Sequence, residues 1–444
     1  MAIQKKKNNS NYSDSVNKVF GYWRTRTMYS IIIGYAAYYF IREAFPLAIP
    51  SICSEFSYTK EDMGKILSFG TIVYSIGKYF FGLAGDKYKA RYVMALGLVM
   101  SAIMALFMGF SALIPTFVIF WALTQCFQSM GAPPCTKLLA HWFSPVELAT
   151  KWALWNTAQQ IGASAIALVA PFILMHFGWR FMFFIPGVIA ILLAGFLFNR
   201  LRDTPESLKL PSVEKMTGFA SVAESSKWET EEKVKLTYAE ISKMVLCNRL
   251  VWYVALANFF IYICRITFFN WGMTFLLESK GSSVKMAGVQ LALYSLAGMA
   301  GGLCAGYISD KIFKGRRGPV AFIGMILLGI FMAALWMCPS SSPLLCSVFM
   351  ICIGFLMTGP QILVGVAAAD FATKKAAATA NGFTSTLGYV GATLAGYGAG
   401  YLAQNHGWGS VFFAVIVSAI CSAIFFALTW NKKSAGMSEK DKTA

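Results

Sequence analysis

Residues 82–87 read Gly82-Leu-Ala-Gly-Asp86-Lys87, and residues 306–311 read Gly306-Tyr-Ile-Ser-Asp310-Lys311. The two hexapeptides share the frame Gly-x-x-x-Asp-Lys and stand 224 positions apart. Two other pairs keep nearly the same spacing. Tyr39-x-x-Arg42 recurs as Tyr262-x-x-Arg265 at 223, and Gly178-Trp179 with Phe183-Phe184 recurs as Gly407-Trp408 with Phe412-Phe413 at 229. Three matches at nearly one offset mark two copies of one unit joined in tandem. Each hexapeptide closes a long apolar stretch, so the repeated unit is a set of apolar segments.

A membrane-spanning helix needs about 20 mostly apolar residues. Twelve stretches qualify, at roughly 28–52, 64–84, 92–113, 116–139, 152–175, 181–199, 250–277, 286–308, 319–338, 343–366, 378–403 and 410–430. Between the sixth and seventh lies a polar, mixed-charge segment that reads as a linker. The expected organisation is a polar tail (1–27), a six-helix half (28–199), a linker (200–249), a second six-helix half (250–430) and a short tail (431–444). Six is even, so both halves enter the membrane from one side, as parallel repeats about an axis along its normal. The fold class expected is an all-α membrane protein with twelve transmembrane helices in two pseudo-symmetric halves. The eleventh stretch carries Gly382, Gly388, Gly391, Gly396, Gly398 and Gly400, and small residues let helices approach closely.

Composition agrees. The 444 residues are 57% hydrophobic and 13% charged, against about 25% charged in an average soluble domain. The net charge is +18, from 38 Lys and Arg against 20 Asp and Glu. With the N-terminus placed inside, thirty of the basic residues fall on the cytoplasmic side; only Lys60, Arg180, Lys280 and Lys285 fall opposite. This is the positive-inside pattern. It predicts cytoplasmic termini and makes the partner of the chain a lipid bilayer rather than a nucleic acid. The ten cysteines show neither a disulfide framework nor metal spacing. The polar N-terminus, without an apolar core segment, shows no cleavable signal peptide. The three histidines (His141, His176, His406) fall at helix ends, and no nucleophile–base pair sits at midplane, so neither enzyme chemistry nor a cofactor is expected.

Two of the four remaining basic residues occupy repeat-matched positions inside the apolar stretches. An arginine at the bilayer centre costs about 2.5–3.5 kcal/mol on insertion scales, so it calls for a reason. Arg42 lies between YAAYYFI and EAFPLAIP, and Arg265 between IYIC and ITFFNWGMTFLL. Glu43 adjoins Arg42, yet adjacent helix positions point about 100° apart and leave it poorly placed as a counter-ion. A single such arginine reads as a structural ion pair. Two at equivalent positions read as a pair facing one central cavity. Guanidinium stays charged when buried and matches phosphate oxygens bidentately, so the expected ligand is a tetrahedral dianion. Tyrosine and amide side chains surround the pair in sequence: Tyr35, Tyr39, Tyr262 and Asn270 on the same stretches, and Tyr74, Asn156, Gln159, Gln361, Asn381 and Tyr389 on others. Rings with polar tips suit a sugar. Lys78 is a third candidate cation for the cavity, or a partner of Asp86 two turns later.

The Gly-x-x-x-Asp-Lys loops resemble the signature of the major facilitator superfamily. The resemblance implies that Asp86 and Asp310 belong to a cytoplasmic gate, in which an acid near a helix end and nearby cations hold two helices together in one state. Within that superfamily, YYFIREAFPLAIP, GAPPCTKLLAHWF (131–143), WALWNTAQQIG (152–162), GPQILVG (359–365) and KKAAATANGFTSTLGYVGA (374–392) resemble the organophosphate:inorganic phosphate antiporters, and most of all their hexose-phosphate transporter and sensor members. The resemblance covers essentially the whole chain. It implies that Arg42 and Arg265 bind the substrate phosphate and that Tyr35, Tyr39, Tyr74, Tyr262 and Tyr389 line the cavity. It also implies a monomer in a bacterial inner membrane. Two positions depart from the glycerol-phosphate branch: Glu43 stands where that branch has Lys, and Gln159 where it has His. Both departures favour a sugar phosphate. The function expected is exchange of a sugar phosphate, glucose 6-phosphate foremost, for inorganic phosphate by alternating access. The alternatives are a membrane sensor of external hexose phosphate acting through a partner kinase, and a glycerol-3-phosphate:phosphate antiporter.

Overall fold

The structure, a computed structural model, describes residues 14–213, 216, 243–372 and 377–432. Most of the expected linker, nearly all of the C-terminal tail, Lys374 and Lys375 lie outside the described residues, as does the side chain of Asp86. The described helices are α1 (Asp14–Arg42), α2 (Ala44–Phe56), α3 (Lys60–Lys87), α4 (Ala90–Gly109), α5 (Ile114–Gln128), α6 (Ala132–Trp142), α7 (Pro145–His176), α8 (Phe181–Arg200), α9 (Arg249–Glu278), α10 (Val284–Lys311), α11 (Arg317–Met337), α12 (Pro343–Phe371), α13 (Ala377–Asn405) and α14 (Gly407–Ala427). No strand occurs among the described residues.

Eight of these helices are long and apolar enough to cross a membrane as they stand: α4, α7 from Thr150, α8, α9, α10, α11, α12 and α14. The other four expected stretches are covered by α1 with α2, by α3, by α5 with α6, and by α13. Each departs from a plain apolar helix for a visible reason. Charges sit at both ends of α3, and glycines dilute the hydropathy of α13. Proline cuts the remaining two. Pro46 has no N–H to give the Arg42 carbonyl, and the helix pauses at Glu43. Pro133 and Pro134 likewise withhold donors from Ser129 and Met130, between α5 and α6.

The chain is already helical at Asp14, the first described residue, so α1 extends beyond the apolar stretch read from about residue 28. Tertiary contacts stabilise its polar first turns. Arg24 pairs with Glu147 and donates to the Trp142 carbonyl at 3.1 Å, and Arg26 donates to the Arg200 carbonyl at 3.2 Å.

Glycines set the tightest helix pairs. A Cβ on Gly301 of α10 would lie 1.8 Å from the Phe355 carbonyl oxygen, and one on Gly354 of α12 would lie 2.0 Å from that of Tyr294. The glycine-rich α13 approaches α9 in the same way at Gly391, 2.3 Å from the Phe259 carbonyl oxygen by the same measure. Gly382 and Gly398, by contrast, face open space.

Helix direction alternates, which puts the start of α1, the α3–α4, α6–α7, α10–α11 and α12–α13 connections and the end of α14 on one face, here the terminal face. Bonds between α1–α8 and α9–α14 are unevenly placed across the molecule. On the opposite face Lys60 pairs with Glu278 at 2.8 Å, an oxygen that Trp408 of the same half as Glu278 also reaches at 3.0 Å, and the Lys60 N–H donates to Gln404 at 3.1 Å. Ser68 donates to the Thr393 carbonyl at 2.6 Å one level deeper. On the terminal face the described ion pairs stay within one half: Arg24 with Glu147, and Arg317 with Asp310 and Asp370. Among the described residues, bonds between the halves thus occur on the opposite face and at mid-depth, where Lys78 meets Tyr389 and Arg265 meets Gln159.

Candidate functional site

The last residue of α1 is Arg42, and Arg265 lies mid-way along α9. The Arg42 guanidinium sits over the Tyr74 ring, 4.5 Å from its centroid, and 5.7 Å from that of Tyr39. The Gln159 side chain of α7 connects the two arginines. Its Oε1 accepts from the Tyr39 hydroxyl at 3.1 Å and from Arg265 Nη2 at 3.2 Å, and its amide nitrogen donates to Asn156 at 3.4 Å. Among the described residues, no carboxylate lies within ion-pair distance of either arginine. Glu43 is buried beside Arg42, and its Oε1 has no hydrogen-bond partner. The geometric reading of adjacent helix positions holds here: sequence neighbours do not make a pair.

A layer of aromatic rings surrounds these groups. Tyr35 packs on Tyr39 at 5.4 Å and on Trp155 at 4.7 Å. Tyr389 of α13 touches Tyr74 at 5.6 Å and Tyr262 at 5.5 Å. Lys78 donates to the Tyr389 hydroxyl at 3.2 Å, so its ammonium group turns into this layer. Asn270 lies on the far side of Arg42, lining a cavity shared with Glu43. Of the sequence-derived cavity residues, Tyr35, Tyr39, Tyr74, Asn156, Gln159, Tyr262 and Tyr389 thus meet around the arginine pair. Gln361 and Asn381 make no side-chain hydrogen bond to this network among the described residues, and Asn381 is exposed.

Three groups of the site escaped the sequence reading: Trp155, Trp121 and Gln125. The last two stand four residues apart on α5, hence on one helix face. Both are buried polar side chains inside an apolar stretch, which is the signal that picks them out. On the terminal face, Arg317 donates to Ser309 at 2.9 Å, pairs with Asp310 and reaches Asp370 at 3.3 Å. Asp310 therefore has the cation partner that its position implied.

The family model of the Major Facilitator Superfamily matches residues 31–396, with a second match over 317–444. The chain is 38% identical over 423 residues to a probable hexose phosphate transport protein of Chlamydia muridarum, covering 94% of this chain and 93% of that one. The chain belongs to the organophosphate:phosphate antiporter family of the major facilitator superfamily. Two further relatives mark the spread of this family. A glycerol-3-phosphate transporter of Bacillus subtilis is 37% identical over 416 residues, with 92% of each chain covered. The membrane sensor protein UhpC of Escherichia coli is 34% identical over 407 residues, covering 91% of this chain and 92% of that one. Membership makes the chain a multi-pass membrane protein of a transporter family and not an enzyme. The arrangement around Arg42 and Arg265 suits such a role, because it gathers cationic, amide and hydroxyl groups between the two halves.

Proposed function

We propose that the protein exchanges a sugar phosphate, with glucose 6-phosphate preferred, for inorganic phosphate by alternating access. One observation carries this reading: Arg42 lies against the Tyr39 ring and Arg265 on the Gln159 oxygen that Tyr39 also reaches, with no carboxylate among the described residues within ion-pair distance of either arginine. Two uncompensated cations repel in a medium of low dielectric constant, which disfavours drawing the halves tightly around an empty cavity. A phosphate dianion replaces that repulsion with charge-assisted hydrogen bonds to both arginines. Only the loaded carrier then reorients quickly, and transport becomes one-for-one exchange. Gln159 cannot titrate near neutral pH, so its contacts to Tyr39 and Arg265 persist as pH changes.

The similarity to hexose phosphate and glycerol-3-phosphate transport proteins supports a phosphorylated organic substrate. Glu43 and Gln159 favour the sugar phosphate. The basic residues of the terminal face support cytoplasmic termini in a bacterial inner membrane, and the Lys60 contacts to Glu278 and Gln404 support a state closed on the opposite face. In this scheme Asp310, with Arg317 and Asp370, and Asp86 form the cytoplasmic gate, and rocking of the halves closes it.

Reconstituted proteoliposomes loaded with labelled phosphate test the reading. Glucose 6-phosphate outside should drive release of label and should compete better than glycerol 3-phosphate. Glycerol 3-phosphate winning that competition makes the protein a glycerol-phosphate antiporter instead. The resemblance to UhpC favours a second reading, a sensor of external hexose phosphate working through a partner kinase. Purified protein that binds glucose 6-phosphate and exchanges nothing is the outcome that supports the sensor.

A further inference from the structure

The two halves repeat one arrangement at the face opposite the termini. Glu55, next to last in α2, and Glu278, last in α9, stand 223 positions apart. Trp179 and Trp408 each follow a glycine of positive φ, Gly178 at 83° and Gly407 at 77°. Each indole N–H donates to the carboxylate of its own half: Trp179 to Glu55 at 2.6 Å, and Trp408 to Glu278 at 3.0 Å. A cation completes both sites and lies near the same indole. The Arg180 guanidinium is 4.5 Å from the centroid of Trp179, and the Lys60 ammonium is 6.0 Å from that of Trp408.

The cations differ in origin. Arg180 directly follows Trp179 and pairs with Glu55 at 2.8 Å, so the first site is complete within its own half. The residue after Trp408 is Gly409, which has no side chain. Lys280, two residues beyond Glu278, is engaged elsewhere: its ammonium group donates to the Trp336 and Cys338 carbonyls at 3.0 and 2.6 Å. Among the described residues, the cation that pairs with Glu278 is Lys60 of the first half, at 2.8 Å. The reverse bridge has no counterpart. Position 283, which matches Lys60 at the repeat spacing of 223, is a serine whose hydroxyl accepts from the Met286 N–H at 3.2 Å and caps α10. One carboxylate is closed within its half, and its equivalent reaches across the interface.

We propose that Gly409 makes Glu278 the receptor of a latch between the halves, by withholding the cation that Arg180 supplies to Glu55. Lys60 is the tongue of that latch. It is the first residue of α3, and its backbone is pressed on α13: its N–H donates to Gln404 at 3.1 Å, and a Cβ on Gly400 would fall 2.5 Å from its carbonyl oxygen. A cation placed at 409 satisfies Glu278 within its own half and releases Lys60. The latch concerns how the halves sit and holds for any cargo.

Deuterium uptake by the full-length protein, read by peptide mass spectrometry, tests the latch. Opening of the opposite face speeds uptake around residues 60–68 and 396–405, and the accompanying closure of the terminal face slows it around Asp310 and Asp370. Lys60→Gln should speed the first set by about 1.4-fold to fivefold, the range that an exposed ion pair covers. Arg180→Gln breaks the matching pair of the first half and should move neither set. Gly409→Arg should act as Lys60→Gln does. Gly409→Met, long but uncharged, should not, although a Cβ at 409 comes within 3.3 Å of the Trp336 ring, a residue 43% exposed with room to turn. Lys60→Gln without effect overturns the latch, and Arg180→Gln opening the opposite face equally overturns the asymmetry; neither outcome needs a variant at 409 to fold. Folded Gly409→Arg with unchanged uptake, or Gly409→Met matching it, overturns the role of Gly409. Uptake is read without transport, so a failure to exchange phosphate strikes the function proposed above and not the latch.

Discussion

Arg42 and Arg265 were singled out before any coordinates by their charge, their depth in apolar sequence and their matched positions. The structure adds a shared neighbour: the Tyr39 ring lies 5.7 Å from the Arg42 guanidinium, and its hydroxyl donates to the Gln159 oxygen that also accepts from Arg265. Lysine keeps the charge of either arginine but not the planar fork. Losing one charge-assisted hydrogen bond of about 1.5–3 kcal/mol corresponds to a loss of about tenfold to 150-fold in affinity. Arg42→Lys and Arg265→Lys should therefore each depress phosphate exchange by at least tenfold, and a variant exchanging at the normal rate would sink the phosphate assignment. Gln159→Leu removes the shared acceptor while leaving both charges in place. A rise in the KM for phosphate with little change in the amount of folded protein is the expected result.

At the scale of elements, the apolar stretches and the repeat were legible because they depend on composition and spacing alone. The helical form of the polar residues before position 28 was not, since Arg24 and Arg26 hold them through distant partners. Trp121 and Gln125, which line a small pocket with Arg42, were missed for a related reason. Each is unremarkable in sequence, and only the packing of α5 against α2 and α3 gives them a common cavity. Of the six glycines of α13, Gly388, Gly391, Gly396 and Gly400 mark close packing while Gly382 and Gly398 do not, and the tightest contact belongs instead to Gly301 of α10 and Gly354 of α12. A side chain at either must push α10 from α12. Gly354→Val should lower the melting temperature in detergent by several degrees and reduce the folded yield, and a fully stable Gly354→Val protein contradicts the contact as described.

At the scale of the whole molecule, the contacts that tie the halves together define which way the carrier faces. Lys60→Glu removes the pairing with Glu278 and puts like charges together. It should shift the population toward the state open on the opposite face, measurable as faster labelling of a cysteine introduced into the cavity from that side. Restoring the pair as Lys60→Glu with Glu278→Lys should slow the labelling again. A different pair reports on folding. Burial tends to raise the Glu147 carboxyl, but the hydrogen bonds from Arg24 and Ser144 outweigh it and hold the group below the ordinary glutamate range. A carboxyl depressed in this way contributes stability above that range and loses it as pH falls through the folded value. The melting temperature of Glu147→Gln should thus lie below that of the unaltered protein at pH 7 and converge with it in acid.

The Lys60–Glu278 pair has one more consequence. Its side chains are 20% and 43% exposed, so the ions of the surrounding solution reach it, and at 0.1 M salt charges are screened over about 10 Å. Arg42 and Arg265, half-buried among aromatic rings, are screened less. Ionic strength on that side of the membrane therefore acts as a dial on the resting state: it loosens the closure while leaving the grip on the phosphate nearly untouched.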